Sequence, residues 1–99
     1  MAQQEKLGKT ATKIKSVFCK SENENVTQVT YHDTVVTEFG SNYIMLSSGG
    51  WLTNTTKTRM NQASNQFNLG YKVFQKNFNW FVQYNNKIFP FYEHMELKR

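Results

Sequence analysis

The sequence predicts an α+β domain: a small antiparallel sheet in two parts, in about ββ-α-βββ order, with one central helix packed on a single face. Three observations lead there. From Val26 to Leu46, β-branched and aromatic residues alternate with polar ones, the period of strands. From Thr53 to Gly70 the apolar residues recur at helical spacing, and from Tyr71 to Pro90 the alternation returns. The third is length: 99 residues make one domain with a small core, leaving more than about a third of its unfolded surface in water.

Residues 1–25 read as a basic N-terminal arm, able to stay mobile until a partner orders it. Leu7, Ala11, Ile14 and Phe18 fall at helical spacing, but Gly8, Thr10 and Thr12 weaken a helix, and Lys13 to Cys19 suits an edge strand equally well. Ser21 to Asn25 reads as a linker or turn. Residues 26–92 form the domain. Val29, Tyr31 and Thr34 to Phe39 favour extended structure, with His32-Asp33 dividing two short strands. Gly40-Ser41-Asn42 supplies a turn, and Tyr43 to Leu46 a buried return strand that ends at Ser47-Ser48-Gly49-Gly50.

Thr53 to Thr56 offer hydroxyl caps for a helix whose Met60, Ala63 and Phe67 share one face, with Gly70 expected in the left-handed position beyond its end. Asn61, Gln62, Asn65 and Asn68 line the opposite face. Tyr71 to Lys76 and Trp80 to Tyr84 then alternate as a hairpin, Asn85-Asn86 suits a two-residue turn, and Lys87 to Phe89 pairs back, held to an edge by Pro90. Residues 93–99 read as a polar tail, short helix or coil.

Charge is segregated. Residues 1–20 balance at +4, residues 21–50 at −4 and residues 51–99 at +5, for a net charge of +5 and a pI near 9.4. This is the electrostatic pattern of a polyanion binder. No apolar run reaches the ~18–20 residues of a membrane span, and no signal-peptide core precedes Ile14. The single cysteine, Cys19, cannot form an intramolecular disulfide or a thiolate cage, which points to a reducing cytoplasm. Catalysis is not expected. No carboxylate lies between residues 51 and 92, and Cys19, His32 and His94 lack metal-ligand spacing. Neither a catalytic residue, a metal nor a cofactor is assigned.

Two clusters suit an anionic partner. Acidic residues stabilise a helix start, yet this one is surrounded by Thr55, Thr56, Lys57 and Arg59, the right composition for holding a phosphate. The intramolecular alternative is that both cations reach back to Glu22 or Glu38. On the hairpin, Trp80 and Val82 should cover the helix, leaving Phe74 and Phe81 on the other face among Lys72, Lys76, Asn79 and Gln83. Rings interleaved with lysines make a base-stacking platform or, if covered, an oligomer or core contact.

The stretch Gly49-Gly50-Trp51, Thr55-Thr56-Lys57-Thr58-Arg59-Met60-Asn61-Gln62-Ala63-Ser64-Asn65-Gln66-Phe67, Leu69-Gly70 and Trp80-Phe81-Val82 resembles a family of small bacteriophage proteins carried as a domain of unknown function. The similarity runs from about Tyr31 to Pro90. It implies a phage-type protein made in the bacterial host cytoplasm and supplies no site residue. The expected function is therefore drawn from the residues: nucleic-acid binding, DNA or RNA, through the helix start and the basic aromatic sheet face. A module that inhibits or redirects a host protein is the alternative, a nucleotide-signal binder a second one, and a homodimer is compatible with each.

Overall fold

The computed structural model describes residues 12–31 and 33–99. The chain runs β1 (Thr12–Cys19), β2 (Glu24–Tyr31), β3 (Thr34–Phe39), β4 (Tyr43–Leu46), α1 (Asn54–Phe67), β5 (Tyr71–Lys76), β6 (Asn79–Tyr84), β7 (Lys87–Pro90) and β8 (Met95–Lys98). The class is α+β, with two antiparallel sheets: one of five strands in the order β1-β2-β3-β4-β8, the other β5-β6-β7. The order is thus four strands, the helix, three strands and one more.

Two boundaries differ from the sequence reading. Residues 12–19 are not a detached arm but the edge strand that suited Lys13 to Cys19 equally well, because β1 pairs with β2 at every position from Thr12↔Tyr31 to Cys19↔Glu24. The helical reading of Leu7 and Ala11 lies outside the described residues, as does His32 of the expected His32-Asp33 division. Residues 93–99 are no mere tail either: β8 pairs with β4, and Met95 and Leu97 are buried. Their Met-Glu-Leu-Lys alternation was too short to set against the charge around it.

Local chemistry explains the turns. Asp33 has a φ of 65° between β2 and β3. Asn77-Phe78 and Asn85-Asn86 each hold two positive φ values, the conformation whose twist matches a two-residue hairpin. Thr53 caps α1, accepting from the Thr56 N–H at 3.2 Å. At its other end the left-handed cap is Asn68, and Gly70, two residues beyond, also takes a positive φ of 83° as expected. Asn tolerates this conformation because its short side chain bonds locally.

One core joins the three units. Val29, Val36, Ile44 and Leu46 from the first sheet, Met60 and Ala63 from α1, and Tyr71, Val73, Trp80 and Val82 from the second form a single buried cluster. The Tyr71 hydroxyl sits where they meet. It donates to the Met60 carbonyl at 2.6 Å, so the Thr37 hydroxyl, 2.9 Å away, donates to it. Burial pushes the phenol up, against a smaller downward pull from the Thr37 bond.

Helix side chains cap the outer edge of β5. The Ser64 hydroxyl donates to the Tyr71 carbonyl (2.7 Å) and accepts from its N–H (3.0 Å). The Asn61 amide does the same for Val73, donating at 2.9 Å and accepting at 2.7 Å. Two helix residues thus stand where a further strand would pair, and the edge groups stay satisfied.

A carboxylate fixes the segment leading to α1. Glu93 accepts from the Ser47 hydroxyl (2.9 Å), the Ser48 N–H (2.7 Å), the Gly49 N–H (3.1 Å) and the Ser48 hydroxyl. Gly49 has a φ of +64°, and a Cβ there would lie 2.6 Å from the Thr34 hydroxyl oxygen, so no other residue fits without strain. Partial burial raises the Glu93 pKa, but these donors outweigh it and hold the group below its ordinary 4.5.

Three substitutions test these contacts. Tyr71→Phe strands the Thr37 donor, and Asn61→Leu strands the Val73 N–H and C=O. Each should lower unfolding free energy by about 1–3 kcal/mol in urea titrations; a loss under ~0.3 kcal/mol at either site would refute its assigned role. For Glu93, the unfolded carboxyl binds its proton more tightly than the folded one. Its contribution is therefore complete above the ordinary carboxylate range and is lost as pH falls through the depressed folded value. Glu93→Gln should accordingly lower the melting temperature at pH 7 more than at pH 3, and equal losses at both would show that the charge is irrelevant.

Candidate nucleic-acid interface

The helix start is built from Thr53, Asn54, Thr55 and Thr56, with no acidic residue in the first turn. Thr55 is exposed and Thr56 buried. The Thr56 hydroxyl lies 3.1 Å from that of Thr53, so both are engaged in the cap and Thr56 does not face an incoming anion. Tyr31, Trp51, Thr53, Thr55 and Thr56 bound a depression of about 520 Å³ beside this end.

Lys57 and Arg59 do not converge there. Because α1 begins at Asn54, they stand four and six positions into it, and a two-residue separation turns them about 200° apart. Lys57 reaches the second sheet, with Nζ donating to the side-chain Oε1 of Gln75 at 3.3 Å and lying 5.8 Å from the ring centroid of Trp80. Arg59 reaches the first, its guanidinium 5.6 Å from the ring centroid of Tyr31 and its Nη1 donating to Gln62 at 2.9 Å. Its Nε is buried with no hydrogen-bond partner among the described residues. Neither cation pairs with a carboxylate there; Glu38 instead accepts from Gln28 and the Tyr43 hydroxyl. The expected two-cation phosphate site at the helix start is therefore not formed.

The second sheet gathers the other residues. Alternation sends Tyr71, Val73, Trp80 and Val82 to the core, and Lys72, Phe74, Lys76, Asn79, Phe81 and Gln83 to the opposite face. Register then aligns the outward rows: Phe74↔Phe81↔Pro90 across three strands, Lys72↔Gln83↔Ile88 on one side, Lys76↔Asn79 on the other. Phe74 and Phe81 stack with centroids 5.7 Å apart and planes 27° from parallel. Among the described elements, the helix packs against these strands at the β5 edge, and the first sheet meets their inward face in the shared core. Lys72 and Lys76 flank Phe74 along β5, about 13 Å apart at the usual rise of a strand. No carboxylate lies within the face.

At one end of the face, the Asn77-Phe78 turn projects. Phe78 is 93% exposed, and with Leu52, Asn79, Trp80, Phe81, Pro90 and Phe91 it borders a depression of about 440 Å³. Phe78 falls between the strands expected over Tyr71–Lys76 and Trp80–Tyr84 and is not among the candidate residues of the sequence, although a phenylalanine in such a connection is itself a signal. The amide face of α1 was also misjudged: Asn61 holds β5, Gln62 holds Arg59 and Asn68 ends the helix.

The comparisons with known proteins concern the family. Residues 2–98 match the model of the Kyanoviridae Gp96 protein family, so the chain belongs to that family of phage proteins. The match extends past the Tyr31–Pro90 stretch that carried the resemblance and takes in the basic segment before Val26. No curated protein and no solved structure matches. Among the described residues, no helix is long and apolar enough to cross a membrane, and no three His, Cys, Asp or Glu side chains gather as metal ligands.

Proposed function

We propose that this Gp96-family protein binds nucleic acid on the outward face of the β5-β6-β7 sheet, in the cytoplasm of the infected bacterium, as a binding protein rather than a catalyst. The observation that carries the reading is the stacked Phe74–Phe81 pair, half-buried on the outward face between Lys72 and Lys76, with no carboxylate on the face. Each ring offers a surface for a base, worth about 1–3 kcal/mol per stacked base. The lysines supply counter-charge for the backbone that joins the bases. A host-protein interface would also use the rings as anchors, but the cores of protein interfaces are depleted in lysine. This pairing of rings with cations favours the polyanion.

Fluorescence anisotropy with labelled DNA and RNA oligonucleotides of about 20 residues, across ~50–200 mM salt, tests the reading. Affinity should fall steeply with salt, and Lys72→Ala/Lys76→Ala should reduce the slope of log K against log salt by about 1.4–1.8. Lys57→Ala/Arg59→Ala, at the helix, should change that slope less. Absence of binding to any oligonucleotide at ~50 mM salt would reject the proposal.

A further inference from the structure

Resting on that reading, we infer that the nucleic acid is a single strand and that Phe78 is a third stacking ring, standing at the turn where the strand enters or leaves the sheet face. The two hairpin turns of the second sheet provide an internal comparison. Both need positive φ at two consecutive residues, a conformation that Asn and Gly adopt at low cost and that is costly for a bulky side chain. The β6–β7 turn meets the demand with Asn85 and Asn86, at φ 52° and 65°. The β5–β6 turn has Asn77 at 52° but Phe78 at 66°. Nothing in the fold offsets that strain, because the ring is 93% exposed. A turn that forgoes a glycine for an unburied phenyl ring carries that ring for an external contact.

Placement says which contact. Phe78 lies beside Asn79 and borders the same depression as Phe81, which stacks on Phe74 in the next strand. The three rings form a path from the turn onto the sheet, with Lys76 at its start and Lys72 beyond Phe74. Rings presented in this way bind the faces of bases. A duplex hides those faces in its own stack and shows only base edges in its grooves, which admit a helix or a two-stranded ribbon rather than the broad side of a sheet. Two lysines are also few for a duplex binder, whose affinity comes from some 6–10 phosphate contacts. With so little charge on the face, stacking supplies the larger share of affinity, and stacking requires unpaired bases.

The test compares an oligothymidine of about 20 residues with a duplex of equal length at matched salt, using the full chain and its variants. The single strand should bind at least about tenfold more tightly. Phe78→Gly relieves the backbone strain, so it should raise the melting temperature while weakening single-strand binding by about 5- to 150-fold. The salt slope should be unchanged, since no charge is removed. Weaker binding with a rising melting temperature cannot come from damaged folding, so that variant separates stacking from stability. Duplex affinity equal to or above that of the single strand, or an unaltered affinity in Phe78→Gly, would overturn this inference and leave nucleic-acid binding standing. Failure of both oligonucleotides to bind would overturn the broader reading as well.

Discussion

Everything in this fold is arranged around the hydroxyl of Tyr71. A five-stranded sheet, a three-stranded sheet and a helix must share one small core, and their backbones diverge there. The phenol oxygen meets a hydroxyl from β3 and a carbonyl from α1 while itself belonging to β5. A buried polar group of this kind is favourable only when both its donor and its acceptor capacity are used, which restricts the three units to one mutual placement. Hydrophobic contact among Val36, Met60, Val73 and Val82 would tolerate sliding; the paired hydroxyls do not.

The separation of the sheets has a similarly local cause. With Asn61 and Ser64 occupying the outer edge of β5, that strand cannot extend the larger sheet, and the hairpin unit turns one face inward and the other out. The rings of Phe74 and Phe81 are on the outer face by alternation alone, so the placement of the proposed interface follows from how the helix holds a strand edge rather than from any loop.

Much of this was legible from the residues. Alternation in Tyr71 to Tyr84 is strict enough to assign Phe74, Phe81, Lys72 and Lys76 to one face, and the register confirms that they share it. The helix was legible from its threonine cap and the spacing of Met60 and Ala63. What sequence could not convey was three-dimensional partnership. Lys57 and Arg59 looked convergent because they are close in the chain, whereas the helical turn sends them to different sheets. β8 was hidden because four alternating residues gain their meaning from β4, a strand about fifty positions earlier. Asn61 and Glu93 read as solvated polar residues, since nothing local reveals that backbone groups await them.

The position of β8 has a consequence for how the molecule holds together. The helix and the entire second sheet are spliced into the connection between two neighbouring strands of the first. Neither sheet is then an autonomous melting unit, because pairing β8 with β4 must close a long excursion, at an entropic cost repaid only when the intervening layer is already packed. Loosening the aromatic hairpin would release β8 too, coupling the face proposed to bind nucleic acid to the far sheet through chain connectivity as well as through contact.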